Sequence, residues 1–185
     1  MLVGNVTAVF QQSVKRMLAY SSIAQAGFML FAVLSVNAIA WQGIIIYATA
    51  YTVATVGIFS VLVKLKDYTY DGFNGLAKKE PLLAFTAAIF IFSLAGIPLT
   101  GGFMAKYYVL LAVVKEGNLM WLVIFALLMA AISVYYYFRV IAAMYFKPGN
   151  PELIAPITVG DKFILIVTCI LVILLGVAPQ LFLNI

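Results

Sequence analysis

From Met17 to Val63 the chain carries no charged side chain, and most of the residues in between are apolar. A stretch of that length and texture has no place on the surface of a water-soluble domain. It is long enough for two membrane crossings of about 20 residues each, and it divides into segments 18–36 and 41–63. The same texture returns in 81–114, 119–146 and 163–183, while 2–14 is too brief to cross unaided. Composition agrees, with 66% hydrophobic and 9% charged residues; soluble domains hold about 45–50% and 25%. The segments are too long and too evenly apolar for barrel strands, which alternate apolar and polar residues. The expected architecture is all-α: one polytopic transmembrane helix bundle over 1–185, with about six membrane segments.

The charges that remain fall between the segments. If each segment crosses once, Lys15 and Arg16 share one side with Lys64, Lys66, Lys78, Lys79, Lys147 and Lys162. The other side receives Lys115 beside Glu116. Positive residues mark the cytoplasmic side, so the carboxy terminus is expected to point outward. The net charge of +5 therefore speaks to orientation in a lipid bilayer and not to a nucleic-acid partner. Tyr20, Trp41, Tyr68, Tyr70, Trp121 and Tyr145 stand near segment ends, where interfacial aromatics belong. The first residues lack the basic region and small-residue cleavage site of a targeting signal. They read as the end of a helix already under way, so the chain is expected to be the carboxy-terminal portion of something longer.

Segment 81–114 breaks the pattern. As one helix it would extend about 50 Å, well beyond a hydrocarbon layer of about 30 Å. The run "GIPLTGG" supplies an interruption: Pro98 removes an amide donor, and Gly96, Gly101 and Gly102 weaken the helix around it. Exposed backbone at that depth is tolerated only against protein or a watery cavity, so the break predicts a cavity. Lys106 follows Gly102 by about one helical turn. A lysine near a helix end can snorkel to the headgroups, but Lys115, at the boundary, lies roughly two and a half turns farther on. A charge held so deep points to an ion pathway. The discontinuous helix around Gly96–Gly102 and Lys106 are read together as a proton-handling joint.

The other polar island is "SVKRMLAYSSIAQAGFML". Lys15 and Arg16 mark its boundary, and Ser21 and Gln25 share a helix face beside Ser22. Such residues tie membrane helices together, or they line a file of water. Arg139 is expected to snorkel toward the basic side past Tyr135–Tyr137. The loop "KDYTYDGFNGLAKKEP" reads as a solvated connector, with Glu80 at the surface before Pro81. By this count no carboxylate lies in the membrane interior. Histidine is absent and Cys169 is the single cysteine, which excludes an intrachain disulfide and a CxxC site.

The segments "KRMLAYSSIAQAGFM", "FNGLAKKEPLLAF", "FSLAGIPLTGGFMAKYYV" and "ISVYYYFRVIAAMYF" together resemble the antiporter-like membrane subunits of respiratory complex I. Within that group the likeness is to subunit N of bacterial NADH:quinone oxidoreductase, the counterpart of mitochondrial subunit 2. It extends in order over nearly the whole chain. The resemblance implies that Lys106 is the lysine of the discontinuous twelfth helix and exchanges protons with the outer side. It implies that Lys15 is an upstream proton site, with Ser21, Ser22 and Gln25 organising water between the two. Gln25 stands where many relatives place histidine; it cannot titrate, so only a bound water would bridge there. Members of the group have about fourteen spans, and the helices here match the ninth to the fourteenth. The family's glutamate–lysine pair lies in the part before them, so this chain corresponds to about half a proton channel.

The resemblance further implies a subunit of a proton-pumping NADH:quinone oxidoreductase in the bacterial plasma (inner) membrane, with a periplasmic carboxy terminus. No cofactor is expected in this chain; NADH, FMN, iron–sulfur clusters and quinone are expected on partner subunits. Those partners would include adjacent antiporter-like subunits and small membrane subunits. A subunit of a multisubunit sodium/proton antiporter is the alternative, and a purely structural membrane subunit is another.

Overall fold

The computed structural model describes residues 1–35 and 37–183. It is built from helices α1 (Leu2–Val9), α2 (Val14–Val33), α3 (Ala38–Leu62), α4 (Leu76–Lys79), α5 (Pro81–Ala95), α6 (Gly101–Glu116), α7 (Met120–Phe146), α8 (Val159–Val177) and α9 (Gln180–Leu183). A 3-10 turn, Asp71–Phe73, precedes α4. Helices α2, α3, α7 and α8 are each long and apolar enough to cross a bilayer. The shorter apolar helix α5 and helix α6 follow one another across an interruption, as the glycines and Pro98 predict, and α1 is a further short helix. The all-helical bundle expected from the sequence is what folds.

Local chemistry sets the boundaries. α2 begins at Val14, earlier than the apolar run suggests, because the Val14 amide donates to the Tyr68 carbonyl at 2.8 Å. Lys15 and Arg16 therefore sit inside the first helical turn. Asn37 caps α3 by accepting from the Ala40 amide at 2.9 Å. Thr158 and Asp161 form a reciprocal capping box that starts α8. Pro81 occupies the first turn of α5, where its missing N–H costs nothing.

The long helix α3 runs through the middle, packed along α6, α5, α8 and α2. Two apolar cores are stacked along the bundle. One gathers Met17, Ile58, Val61, Phe73, Leu83, Phe90 and Tyr137. The other gathers Phe28, Ile46, Val109, Val113 and Val123. The interruption between α5 and α6 lies where these cores meet, with Ala95 in the first and Ala105 in the second.

At the basic end the loops are tied to each other. The Lys66 amide donates to the Glu152 carbonyl at 3.0 Å, and the Ile154 amide to the Lys64 carbonyl at 2.9 Å. Lys64 pairs with Asp161 at 2.5 Å and Lys66 with Glu152 at 2.8 Å. The connector 66–81 is thus more than a solvated loop. Its charges face outward, but Phe73 and Leu76 are fully buried and plug the end of the bundle. Tyr70 is also buried there instead of anchoring at an interface, whereas Trp41 and Trp121 are largely exposed. Arg139 does reach toward this end: its guanidinium lies 4.1 Å from the Tyr70 ring centroid. It also donates to the Val9 carbonyl at 3.0 Å, satisfying the last turn of α1.

Candidate functional site

Helix α5 ends because Gly96 takes the left-handed conformation, φ +85°, which costs a glycine little. The Gly96 amide donates to the Ser93 carbonyl at 3.0 Å, and the Ile97 amide to the Phe92 carbonyl at 2.9 Å. This is the Schellman closure. It leaves the last two carbonyls of the helix, Leu94 and Ala95, without backbone amide partners. They stand at the negative end of the α5 dipole.

Lys106 answers them. It is buried, and its Nζ donates to the Ala95 carbonyl at 2.8 Å and the Leu94 carbonyl at 3.2 Å. The ammonium also sits 5.1 Å from the centroid of the Phe28 ring. The side chain points inward at the break and does not climb toward Lys115. Across the gap, the Ser93 hydroxyl accepts from the Gly102 amide at 3.0 Å and so satisfies one bare donor at the start of α6. Gly102 has to be glycine: a Cβ there would run into the Ser93 backbone carbonyl. Gly101 is buried against Ala50 and Leu175, while Pro98 lies at the exposed outer edge of the turn.

A buried polar seam leads from the break. Gln25 Nε2 donates to the Leu94 carbonyl at 2.9 Å and to the Tyr137 hydroxyl at 3.1 Å. The Tyr47 hydroxyl donates to Gln25 Oε1, and Tyr137 shares a short hydrogen bond with Ser21. Next to Tyr137, Tyr136 donates to Asn5 Oδ1 at 2.9 Å. The structure thus brings together Lys106, Gln25, Ser21 and the glycines of the break. Two other sequence candidates lie outside the seam. Ser22 bonds to its own helix through the Ala19 carbonyl at 2.7 Å. Lys15 is exposed at the basic end, 5.2 Å from the Tyr68 ring centroid.

Sequence reasoning missed Tyr47, Ser93 and Asn5, and it placed Tyr137 with Arg139 instead of with Gln25. The signal was present in Tyr47, a hydroxyl deep inside an apolar span. A cavity of about 10 Å³ lies against Lys106, Gln25, Tyr47, Tyr51 and Ser93, room for about one water with several polar partners. Among the described residues no group of three or more His, Cys, Asp or Glu side chains could hold a metal ion.

Residues 1–133 match the family described as NADH:quinone oxidoreductase/Mrp antiporter, TM. The chain belongs to that family. The match covers the whole seam apart from Tyr136 and Tyr137. NADH-quinone oxidoreductase subunit N of Trichlorobacter lovleyi is 46% identical over 157 residues, covering 82% of this chain and 32% of that protein. Subunit N of Desulforamulus reducens is 40% identical over 185 residues, covering 97% of this chain and 38% of that protein. The chain therefore spans about a third to two-fifths of the length of these relatives. Among solved structures, a chain of respiratory complex I from Thermus thermophilus with bound aureothin superposes with a TM-score of 0.85 at 31% identity. That superposition covers 99% of this chain and 42% of the other. A chain of the Mrp complex from Dietzia sp. shares the fold, with a TM-score of 0.86 at 19% identity.

Proposed function

We propose that this chain forms part of a proton-translocating membrane subunit of an NADH:quinone oxidoreductase. The observation that carries the reading is Lys106: a buried ammonium held by the last two carbonyls of an interrupted helix, beside a water-sized cavity bordered by Gln25, Tyr47 and Ser93. The six carboxylates of this chain lie in loops or at helix ends, so among the described residues the partners of this charge are carbonyl dipoles and the Phe28 ring. A group balanced that way responds to distant changes of field. A change worth about 1.4 kcal/mol alters the ratio of its protonated to deprotonated forms tenfold. Lys106 is the terminal proton carrier in this scheme and Lys15 an upstream site at the basic end. Ser21, Ser22 and Gln25 organise the region between them. Lys106 would exchange protons outward, and the basic end would face the cytoplasm of a bacterial inner membrane. NADH, FMN, iron–sulfur clusters and quinone would belong to partner subunits, and the proton motion here would follow their redox chemistry.

The test is Lys106→Gln and Lys106→Ala in the full-length subunit, assembled with its partners in membrane vesicles. The expected outcome is a loss of protons moved per electron with the complex still assembled. Normal stoichiometry in the assembled variants would overturn the proposal. It would favour a second reading, which the same hydrogen bonds support: Lys106 as a structural cap on α5. The family description also takes in Mrp antiporters, so a sodium/proton antiporter subunit is a third reading. Co-purification separates it, because iron–sulfur proteins would accompany only the oxidoreductase subunit.

A further inference from the structure

The seam between Lys106 and Ser21 is hydrogen-bonded throughout, yet donor and acceptor accounting shows that its direct hydrogen bonds do not form a proton wire. The Leu94 carbonyl accepts and never donates, so the amide group of Gln25 that faces it at 2.9 Å must be the nitrogen. Its oxygen then faces Tyr47, whose hydroxyl donates to it. The two amide protons are spent on Leu94 and Tyr137, and Tyr137 shares one further hydrogen bond with Ser21 in which either oxygen can donate. A carbonyl and an amide nitrogen thus separate the lysine from Tyr137, and neither exchanges protons readily. Gln25 holds the helices and insulates them.

A way around Gln25 lies on α3. Tyr47, Tyr51 and Thr55 follow one another at four-residue intervals, so their hydroxyls share a face and step about 6 Å toward the basic end each time. The cavity beside Lys106 is bordered by Tyr47 and Tyr51. A second cavity of about 10 Å³ is bordered by Tyr51, Thr55 and Ser21, and it too has room for about one water with hydroxyl partners. Tyr51 and Leu94 border both cavities, and of these two only Tyr51 carries an exchangeable side-chain proton. Among the described residues the Tyr51 hydroxyl has no hydrogen-bond partner, so it is free to turn either way.

We infer that Tyr51 is the relay and gate between the two water sites, and that protons travel along α3 instead of through Gln25. The inference rests on the proposed role of Lys106. In the step itself, the Tyr51 oxygen takes a proton from water in one cavity while its own proton leaves to water in the other. Rotation of the hydroxyl restores the start, and one proton has moved with no electron transferred. Besides Tyr51, the titratable groups that border the two cavities are Lys106 of α6 and Tyr47 of α3.

The experiment uses the full-length subunit in its assembled complex, with Lys106→Gln as the reference. Tyr51→Phe keeps the ring and removes only the hydroxyl. It is expected to lower proton translocation to the level of Lys106→Gln while assembly is unchanged. A fluorotyrosine at position 51, which keeps the hydroxyl but changes its strength as a proton donor, is expected to restore translocation and to change its solvent deuterium isotope effect. Translocation at the unmodified level in Tyr51→Phe, with Lys106→Gln inactive, would overturn the relay and leave the role of Lys106 standing. Loss in Tyr51→Phe with an unchanged isotope effect in the fluorotyrosine form would make Tyr51 structural and also overturn the relay. If Lys106→Gln translocates normally, both readings fall together.

Discussion

The break between α5 and α6 and the rim of loops at the basic end handle polar groups in opposite ways. At the break one buried ammonium faces no carboxylate among the described residues, and backbone carbonyls, an amide and hydroxyls satisfy it and one another. At the rim the charges are numerous and exposed, and Lys66 with Glu152 forms an ion pair in which both partners are about 70% exposed. Hydrogen bonds at the break are shielded from bulk water, with room for about one water beside Lys106, so a lost partner leaves a group poorly satisfied in low dielectric. Exposed pairs exchange protein contacts for water at almost no cost. The break should therefore be rigid and intolerant of substitution, and the rim forgiving.

The sharpest challenge to that contrast is Gly102→Val. The new side chain would meet the backbone carbonyl of Ser93, which cannot swing aside. α6 would have to move off α5, losing the Ser93 cap on the Gly102 amide and shifting Lys106. Overpacking of this kind costs about 1–3 kcal/mol and sometimes more. The expected outcome is a marked fall in assembled subunit and in its thermal stability; normal assembly would show that the break is loosely packed. A milder challenge is Tyr137→Phe, which keeps the ring and strands a Gln25 N–H and the Ser21 hydroxyl. The expected cost is about 1–3 kcal/mol, read as a lower unfolding midpoint of the solubilised complex. No change would mean that these two groups find other partners.

The same contrast explains what could be read in advance. The break was legible because Pro98 and three glycines in an apolar run have one simple consequence, and Lys106 stood out because charge is rare at that depth. Periodicity on α2 paired Ser21 with Gln25. It could not reveal that Tyr47 and Tyr137 complete the same network, since those contacts join residues far apart in the chain. Tyrosine is ambiguous by nature: its ring suits the apolar core and its hydroxyl suits a partner that only the fold supplies. The connector 66–81 misled for a related reason. Its charges dominate its composition, yet Phe73 and Leu76 between them decide where it packs.

The weakest expected effect is at the rim, and it tests the forgiving half of the contrast through pH. The hydrogen bond from Lys66 holds the Glu152 carboxyl below its ordinary value of 4.5, and Glu152 in turn raises the Lys66 ammonium above its ordinary value of 10.5. A carboxyl lowered in the folded state stabilises the fold above its unfolded value, and that contribution fades as pH drops through the lowered value. A raised lysine stabilises below its unfolded value and loses the contribution as pH climbs through the raised one. Between those limits the pair contributes a constant small amount, further screened by salt. Glu152→Gln is therefore expected to leave thermal stability at neutral pH unchanged. It should also remove whatever slope the pair adds below pH 4.5, measured by denaturation of the solubilised complex at low and high salt. A clear loss of stability at neutral pH would show instead that this bond clamps the two loops together, and that the rim shares the rigidity of the break.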